Sequence, residues 1–388
     1  MKHFTFHISH FTLLLFLAAS MLASCSSDSD DTPAPDPVIP AQRTIIAIFN
    51  GNNNLSNSLR EDINEIEAGS KGLSPTTNII VLANIPGQMP YIAEMVDGKS
   101  TKVREWKTRV NICDADTLLA AMQWMMAEYP AYEYGIIFGG HGTGSIDKGG
   151  NDTIPTTLRP AYAYGYDTTN KVASGHAWIN TGTLAAVISH LPARPKYIFF
   201  DCCLMQDYDV VCQMKEYTDY IIAATSETPS AGAPYRAIAP LLTIDDTEKM
   251  CDTILTTYYD HHTPHVCISA LRTRDVDDLQ VKTNAALQEI KTNIALPYIY
   301  DHVIYYYVEA NKKLQYDLKS FLYEQNQQGN LSDDTYNAFV AALERCVFSK
   351  RKCKPWKSSY LTYLDFNSFE VEDYNYGGLS IATATIER

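Results

Sequence analysis

The stretch YIFFDCCLM, residues 197–205, is a short apolar run that ends in an acid and two cysteines. An earlier stretch, YGIIFGGHG at residues 134–142, has the same form and ends in a histidine between glycines. Continuous apolar runs of this length are typical of strands that are buried on both faces of a parallel sheet. Functional side chains of such sheets gather just beyond the carboxyl ends of the strands. The two stretches therefore predict an imidazole and a thiol at one edge of a sheet.

An imidazole beside a thiol is what a cysteine nucleophile needs. The thiolate attacks, and a nearby imidazole lowers the pKa of the thiol and later protonates the leaving amine. His141 and Cys203 are the candidates for these roles. Taken singly, either could be structural, because a histidine at a strand end is often only hydrogen-bonded and a buried cysteine is often inert. Their occurrence together, each in its own motif, favours catalysis.

The first 24 residues have the pattern of an export signal. Lys2 precedes an apolar run at residues 11–23, which is shorter than the about 20 apolar residues that cross a bilayer. Cys25 follows Leu-Ala-Ser, a resemblance to the lipobox of bacterial lipoproteins that implies cleavage before Cys25 and lipid on its thiol. An ordinary signal peptide is the alternative. Residues 25–42 are rich in Ser, Asp and Pro, a composition that predicts a disordered tether. Together with the lipobox, this tether predicts a protein that is anchored by lipid to an outer or cell membrane. Whether it would face the periplasm or the cell surface is left open.

The composition argues against several kinds of partner. The 388 residues carry a formal charge of −14, so no nucleic-acid partner is expected. No Cys-x-x-Cys pair occurs, and neither a metal site nor a cofactor is predicted. The acidic pairs at residues 245–246 and 277–278 are too short to define a calcium site, which leaves a calcium requirement open. A disulfide between Cys346 and Cys353 is also left open.

Strands alternate with helices along most of the chain, which predicts an α/β fold with a largely parallel central sheet flanked by helices. After about residue 275 the predicted secondary structure becomes mainly helical. We therefore expect a catalytic core over residues 43–275 and a C-terminal helical region with closing strands over residues 276–388. Residues 145–176 read as a long irregular segment. Besides the two stretches, strands are expected at residues 43–50, 78–83, 91–96, 101–106 and 220–225. Helices are expected at residues 116–129, 181–190, 208–217, 276–294 and 332–347. A further helix contains Ile63 and Ile66, and a Ser or Asn of residues 52–58 is expected to cap it.

At its two motifs the chain resembles the clostripain family of cysteine peptidases, in the caspase-like clan. The loop at residues 226–235 and the closing YGGLSI at residues 376–381 add to the resemblance, which covers roughly residues 43–388. It implies a caspase-like fold and an endopeptidase with Cys203 as nucleophile and His141 as its partner, a dyad without an identified third member. Asp201 takes the position of the acid at the base of the specificity pocket, which implies cleavage of proteins or peptides after Arg or Lys. A desolvated carboxylate binds such a cation strongly and rejects neutral side chains.

The backbone N–H groups of Gly142 and Cys203 are the expected oxyanion donors. Two departures from the family pattern stand out. Gly139 and Gly140 replace side chains that could orient the imidazole, and Cys202 replaces a small residue. Because side chains alternate along a strand, Cys202 should point away from Asp201 and Cys203 as a packed thiol. Cys202 as the nucleophile is the alternative.

These departures keep a second function in view. The chain could be a catalytically degenerate surface lipoprotein of the same fold that binds protein or glycan ligands. Glycan binding would use the tyrosines of residues 305–307, for which packing is the competing role.

Relatives are often cut between the histidine and the cysteine, which implies self-processing within residues 145–177. This segment is polar and rich in Gly, Pro and Thr, as an exposed, cleavable loop would be. Its basic residues are Lys148, Arg159 and Lys171, and Arg159 precedes a proline that blocks cleavage. We expect cleavage after Lys148 first and after Lys171 second.

Overall fold

The computed structural model describes residues 39–145, 163–172, 175–262, 266–294, 298, 300, 302–309, 312–352 and 371–388. The predicted export signal, Cys25, Lys148 and Cys353 lie outside these residues. Ile39–Arg388 is one compact unit, so the boundary expected at residue 275 falls inside that unit. No helix in the described part of the chain is both long and apolar enough to cross a membrane.

Fourteen strands and ten α-helices occur in the described residues. The strands are β1 (Ala41–Asn50), β2 (Thr77–Asn84), β3 (Tyr91–Val96), β4 (Lys99–Glu105), β5 (Ala131–Gly139), β6 (Ala163–Val172), β7 (Gly175–Asn180), β8 (Tyr197–Asp201), β9 (Tyr220–Ala224), β10 (Ile268–Arg272), β11 (Tyr305–Glu309), β12 (Lys312–Asp317), β13 (Val347–Arg351) and β14 (Ser380–Ala382). The helices are α1 (Ser56–Gly69), α2 (Ala115–Glu128), α3 (Thr181–Ser189), α4 (Tyr208–Met214), α5 (Tyr235–Ile238), α6 (Thr247–His262), α7 (Val276–Asn293), α8 (Leu318–Gln327), α9 (Asp333–Cys346) and α10 (Thr383–Ile386).

The main sheet has the strand order β13-β10-β9-β8-β5-β1-β2-β3-β4. Its five central strands, β9, β8, β5, β1 and β2, are mutually parallel, and antiparallel strands extend both edges. Strands β8 and β9 are buried along their whole length, which is why their sequences are continuously apolar rather than alternating. The predicted α/β class with a largely parallel sheet is confirmed.

Helices cover both faces of the sheet and bury two apolar layers. Alternate residues of one strand divide between the layers: Ile46 and Ile48 of β1 belong to one, Ile45 and Phe49 to the other. Helices α2, α3, α4 and α7 pack in the first layer, and α1, α5 and α6 pack in the second. The C-terminal region is helix-rich, as expected, and also carries a three-stranded sheet in the order β11-β12-β14.

The segment expected to be irregular contains regular structure. Strands β6 and β7 pair antiparallel as a hairpin over residues that we predicted to lack it. Lys171 lies in β6 and not in an irregular loop. The strand was missed because its residues are mostly polar or small, so neither a buried apolar run nor a clear apolar alternation marks it. Its pairing is fixed instead by polar contacts to distant loops, described below.

Candidate active site

The two motif strands are neighbours in the sheet. Strands β5 and β8 are parallel and in register, with Gly139 opposite Asp201 at their carboxyl ends. His141 and Cys203 follow these ends and line one narrow pocket of about 30 Å³. The structure therefore brings together the three predicted residues His141, Cys203 and Asp201. The pocket is lined by Leu55, Leu59, Asp62, Gly140, His141, Asp201, Cys203, Thr228, Pro229, Ser230 and Gly232.

Cys203 sits on a tight turn that follows β8. The next residue, Leu204, has φ +66°, a left-handed conformation that is uncommon for a residue with a side chain. The side chain of Leu204 is completely buried, and its N–H donates a hydrogen bond of 3.0 Å to the carbonyl oxygen of Ser226. These contacts hold the residue in this conformation. Cys203 Sγ accepts a hydrogen bond of 3.3 Å from the N–H of Thr228. A donor aimed at sulfur favours the thiolate form that attacks.

The neighbouring thiol has a different environment. Cys202 is fully buried in the apolar layer on the far side of the strand, and its Sγ donates to the carbonyl oxygen of Phe138 at 3.1 Å. Burial raises the pKa of this thiol well above its ordinary range. The packed position expected from strand alternation is confirmed, and an inert, protonated thiol follows from it.

His141 is oriented by residues that sequence reasoning missed. Its Nε2 lies 2.7 Å from Oδ1 of Asn54, in the loop between β1 and α1. The rings of Tyr166 on β6 and Trp178 on β7 flank the imidazole, with centroids at 5.9 Å and 6.0 Å. The two rings also contact one another at 5.1 Å. These contacts supply the orientation that Gly139 and Gly140 cannot.

The β6–β7 hairpin is anchored above the strand ends by one buried acid. Asp167 accepts hydrogen bonds from the side chains of Asn52 and Asn84, at 2.7 Å and 2.5 Å, in the loop after β1 and at the end of β2. Asn53 Nδ2 donates to the carbonyl oxygen of Tyr166 at 2.7 Å. The expectation that this loop caps α1 was wrong: the N-cap is Leu55, without a side-chain bond. The asparagines hold the hairpin and the histidine instead.

The two predicted oxyanion donors are close in space. Gly142 forms an isolated antiparallel bridge with Tyr164 of β6. A Cβ on Gly142 would lie 2.6 Å from the carbonyl oxygen of Cys203 and 2.9 Å from Cβ of Cys202. Only glycine permits this approach of the two backbones.

Asp201 lies beneath the pocket and is held by three donors. Its Oδ2 accepts from the N–H of Ala233 at 2.8 Å and from the hydroxyl of Tyr235 at 3.0 Å. Its Oδ1 accepts from the hydroxyl of Tyr258 at 3.1 Å. Burial raises the pKa of Asp201, and these hydrogen bonds oppose the increase because they stabilise the charged form.

A second buried acid, Asp62 of α1, faces the same pocket. It is 1% exposed, and burial together with the nearby Asp201 raises its pKa to about 10. Asp62 was not predicted from the sequence, although a signal was present. Leu59, Asp62, Ile63 and Ile66 have the i, i+3, i+4, i+7 spacing of a buried helix face, and an acid in such a face is unusual.

Several other features of the described residues lie apart from this pocket. A concavity of about 320 Å³ at Arg194, Lys196 and Asp219 lies at the amino ends of β8 and β9, the opposite edge of the sheet, and is lined mainly by ion-paired side chains. Tyr306, one of the tyrosines considered for glycan binding, is 1% exposed and donates to Asp317 at 2.9 Å. Cys346 donates to the carbonyl oxygen of Arg272. No group of three His, Cys, Asp or Glu that could hold a metal ion occurs in the described ranges.

Two solved structures have a similar fold. A zymogen described as inactive, of a C11 protease from Parabacteroides distasonis, has 22% sequence identity and a TM-score of 0.70, over 89% of this chain and 93% of that one. A secreted C11 cysteine protease from Bacteroides thetaiotaomicron, solved with an irreversible peptide inhibitor, also has 22% identity and a TM-score of 0.70, over 88% of this chain and 92% of that one. At this identity the likeness shows the caspase-like fold alone.

No curated protein matches the chain. The sequence model described as the Clostripain family matches residues 48–371, which is most of the chain and includes both motif strands, the pocket acids and the β6–β7 hairpin. The chain therefore belongs to the clostripain family of cysteine proteases.

Proposed function

We propose that this protein is an endopeptidase that cleaves proteins or peptides after Arg or Lys with a Cys203–His141 dyad. The observation that carries the proposal is the convergence of His141, Cys203 and Asp201 on one pocket. A nucleophile, a base and a buried acid within one recess are the minimum that this reaction and this specificity require.

In this mechanism Nε2 of His141 donates to Asn54 Oδ1, and Nδ1 acts as the base. The 2.7 Å contact between Nε2 and Oδ1 supports this choice, because an amide oxygen only accepts. The thiol proton of Cys203 passes to Nδ1 as Sγ bonds to the scissile carbonyl carbon. His141 then gives this proton to the departing amine, and a water molecule hydrolyses the resulting thioester. The dyad needs no cofactor for these steps.

The developing oxyanion is assigned to the N–H groups of Gly142 and Cys203. The close approach of Gly142 to the carbonyl oxygen of Cys203 supports this assignment, because it places the two backbones side by side. Preorganised donors of this kind stabilise the transition state by about 3 kcal/mol each.

Two further proposals concern the mature form. The enzyme cuts itself between the motif strands, after Lys148 and secondarily after Lys171, and the two fragments remain together. Lipid on Cys25 tethers it to a membrane. Both proposals are supported by the sequence alone. Lys148 and Cys25 lie outside the described residues.

A covalent probe tests the peptidase assignment. An acyloxymethyl ketone with arginine or lysine at the reactive position should label the protein, and peptide mapping should place the adduct on Cys203. Cys203→Ala is the control for the nucleophile, and a leucyl ketone is the control for the pocket. Repeating the assay with a calcium chelator determines whether calcium is needed. A folded protein that resists the basic probes would instead be the degenerate, ligand-binding form.

A further inference from the structure

We propose that Asp62 is the residue that binds the substrate cation, and that the cation displaces a proton from it into solvent. This inference rests on the proposed cleavage after Arg or Lys and identifies the group that recognises the basic side chain. Asp201, the acid assigned by family resemblance, then acts beside it rather than alone.

The first argument concerns how much of Asp201 is available. A carboxylate has about four acceptor positions, two on each oxygen. Oδ2 of Asp201 uses both of its positions on Ala233 and Tyr235, and Oδ1 uses one on Tyr258. Asp201 can therefore offer a single position to a ligand, although a guanidinium has five N–H donors and an ammonium has three.

The second argument concerns Asp62, whose situation is the reverse. Its Oδ2 is buried and accepts no hydrogen bond from the described residues, and the side chain lines the pocket. A buried acceptor without a partner destabilises the folded protein, and more so when it is charged. A cationic side chain from a substrate is the partner that would remove this cost.

The third argument is the shape of the pocket wall at Gly232. The position that a Cβ on Gly232 would take is 2.8 Å from Oδ2 of Asp62 and 3.0 Å from Oδ2 of Asp201. The same short loop segment thus borders both carboxylates, and a side chain there would cover them. Gly232 has φ +66°, and its carbonyl oxygen lies 2.5 Å from Nε2 of His262, which fixes the loop in this conformation.

Proton release follows from the charge of the empty pocket. Two carboxylates cannot both be ionised in so dry a site, and Asp201 has the three stabilising donors, so Asp62 keeps the proton. Burial, Asp201 and the carboxylates of Glu65 and Glu61 on the same helix all raise the pKa of Asp62, so the neutral form is favoured until a cation arrives. The cation lowers this pKa, and the proton leaves. An acid whose pKa is higher in the free protein than in the complex binds the cation more tightly as the pH rises, by up to about tenfold per pH unit below that pKa.

Calorimetry of the inactive Cys203→Ala protein tests this. The ligand is a peptide amide ending in arginine, whose side chain does not titrate, measured near neutral pH in two buffers with different ionisation enthalpies. We expect release of about one proton and loss of that release in Cys203→Ala, Asp62→Asn, with affinity at least about tenfold weaker. Asp116→Asn is the control: it removes an exposed carboxylate from α2, on the other face of the sheet, and should change neither value.

The outcomes separate the two proposals. Unchanged proton release and affinity in the Asp62→Asn protein would overturn the role of Asp62, while cleavage after Arg or Lys would still stand. A protein that binds no arginine peptide and whose wild type resists arginyl and lysyl ketones would overturn the proposed function itself. Proton release by the Cys203→Ala protein, which keeps Asp62, does not depend on whether the Asp62→Asn variant folds. Release of no proton on binding of the arginine peptide would also overturn the inference.

Discussion

Nε2 of His141 lies 2.7 Å from Oδ1 of Asn54, so the loop after the first strand orients the histidine that follows the fifth. The two residues are distant in the chain and meet because β1 and β5 are adjacent parallel strands that end at the same edge of the sheet. The geometry adds an orienting residue to a dyad for which no third member could be identified from sequence.

Replacing Asn54 should therefore damage catalysis more than binding. In Asn54→Ala we expect kcat to fall by about tenfold to a hundredfold with little change in KM, because the imidazole loses its orientation. Asn54→Asp should recover much of the rate and shift the pH profile upward, since a carboxylate stabilises the imidazolium. Steady-state kinetics across pH are the measurement, and Asn64→Ala, an exposed position on α1, is the control. Equal kinetics in Asn54→Ala and wild type would dismiss the orienting role.

The adjacent cysteines should separate cleanly by function. Cys203→Ala should abolish hydrolysis of basic peptide substrates, whereas Cys202→Ala should keep most of it. Because Cys202 is a packed core thiol, its replacement should instead lower the free energy of unfolding by about 1 kcal/mol. Activity assays with chemical denaturation measure both effects, and the reverse pattern of activity would identify Cys202 as the nucleophile.

Asp201→Ala should remove cleavage after Arg and Lys while the protein still folds. The donors on Ala233, Tyr235 and Tyr258 lose their acceptor, so the free energy of unfolding should fall by about 1–3 kcal/mol. Tyr235→Phe, which keeps the carboxylate and removes one donor, is the matched control and should retain the basic preference. Unchanged kinetics on arginyl and lysyl substrates in Asp201→Ala would exclude this acid from recognition of the basic side chain.

Self-processing should depend on Lys148 more than on Lys171. Proteases bind an unpaired, extended chain, and Lys171 belongs to a strand that pairs with β7. Purified wild type should convert to two fragments while Cys203→Ala stays intact, and Lys148→Ala should slow conversion more than Lys171→Ala. N-terminal sequencing of the downstream fragment identifies the cut. Full activity from an uncut wild-type chain would refute processing and leave the peptidase assignment standing.

Membrane attachment should depend on Cys25. Cys25→Ser should move the protein from the membrane fraction to the soluble fraction, because the thiol that carries the lipid is gone. Fractionation of cells that express each form is the measurement, with the buried Cys251→Ser as a cysteine control. A Cys25→Ser protein that stays with the membrane would count against the anchor.

The sheet was predictable because its signal is local. Buried parallel strands must be apolar on both faces, so β5 and β8 could be predicted from their apolar runs, together with the residues at their ends. Their adjacency could not be derived from either strand alone and is defined by the assembled sheet.

The residues that were missed act over long sequence distances. Asn54 and Asn52 read as turn or cap residues, and nothing nearby in the sequence indicates that they bind His141 and Asp167. Asp62 was detectable as a charge inside an apolar helix face, but its partner Asp201 is far along the chain. Polar contacts of this kind are defined only once the strands are assembled.

The β6–β7 hairpin follows the proposed cleavage point at Lys148 but supports a histidine that precedes it. After cleavage, His141 and Asn54 would belong to one polypeptide, and Tyr166, Trp178 and Cys203 to the other. Neither product would hold a complete catalytic apparatus. The processed enzyme would be an obligate heterodimer. Its activity would therefore require the two fragments to remain associated, and would be lost on their separation.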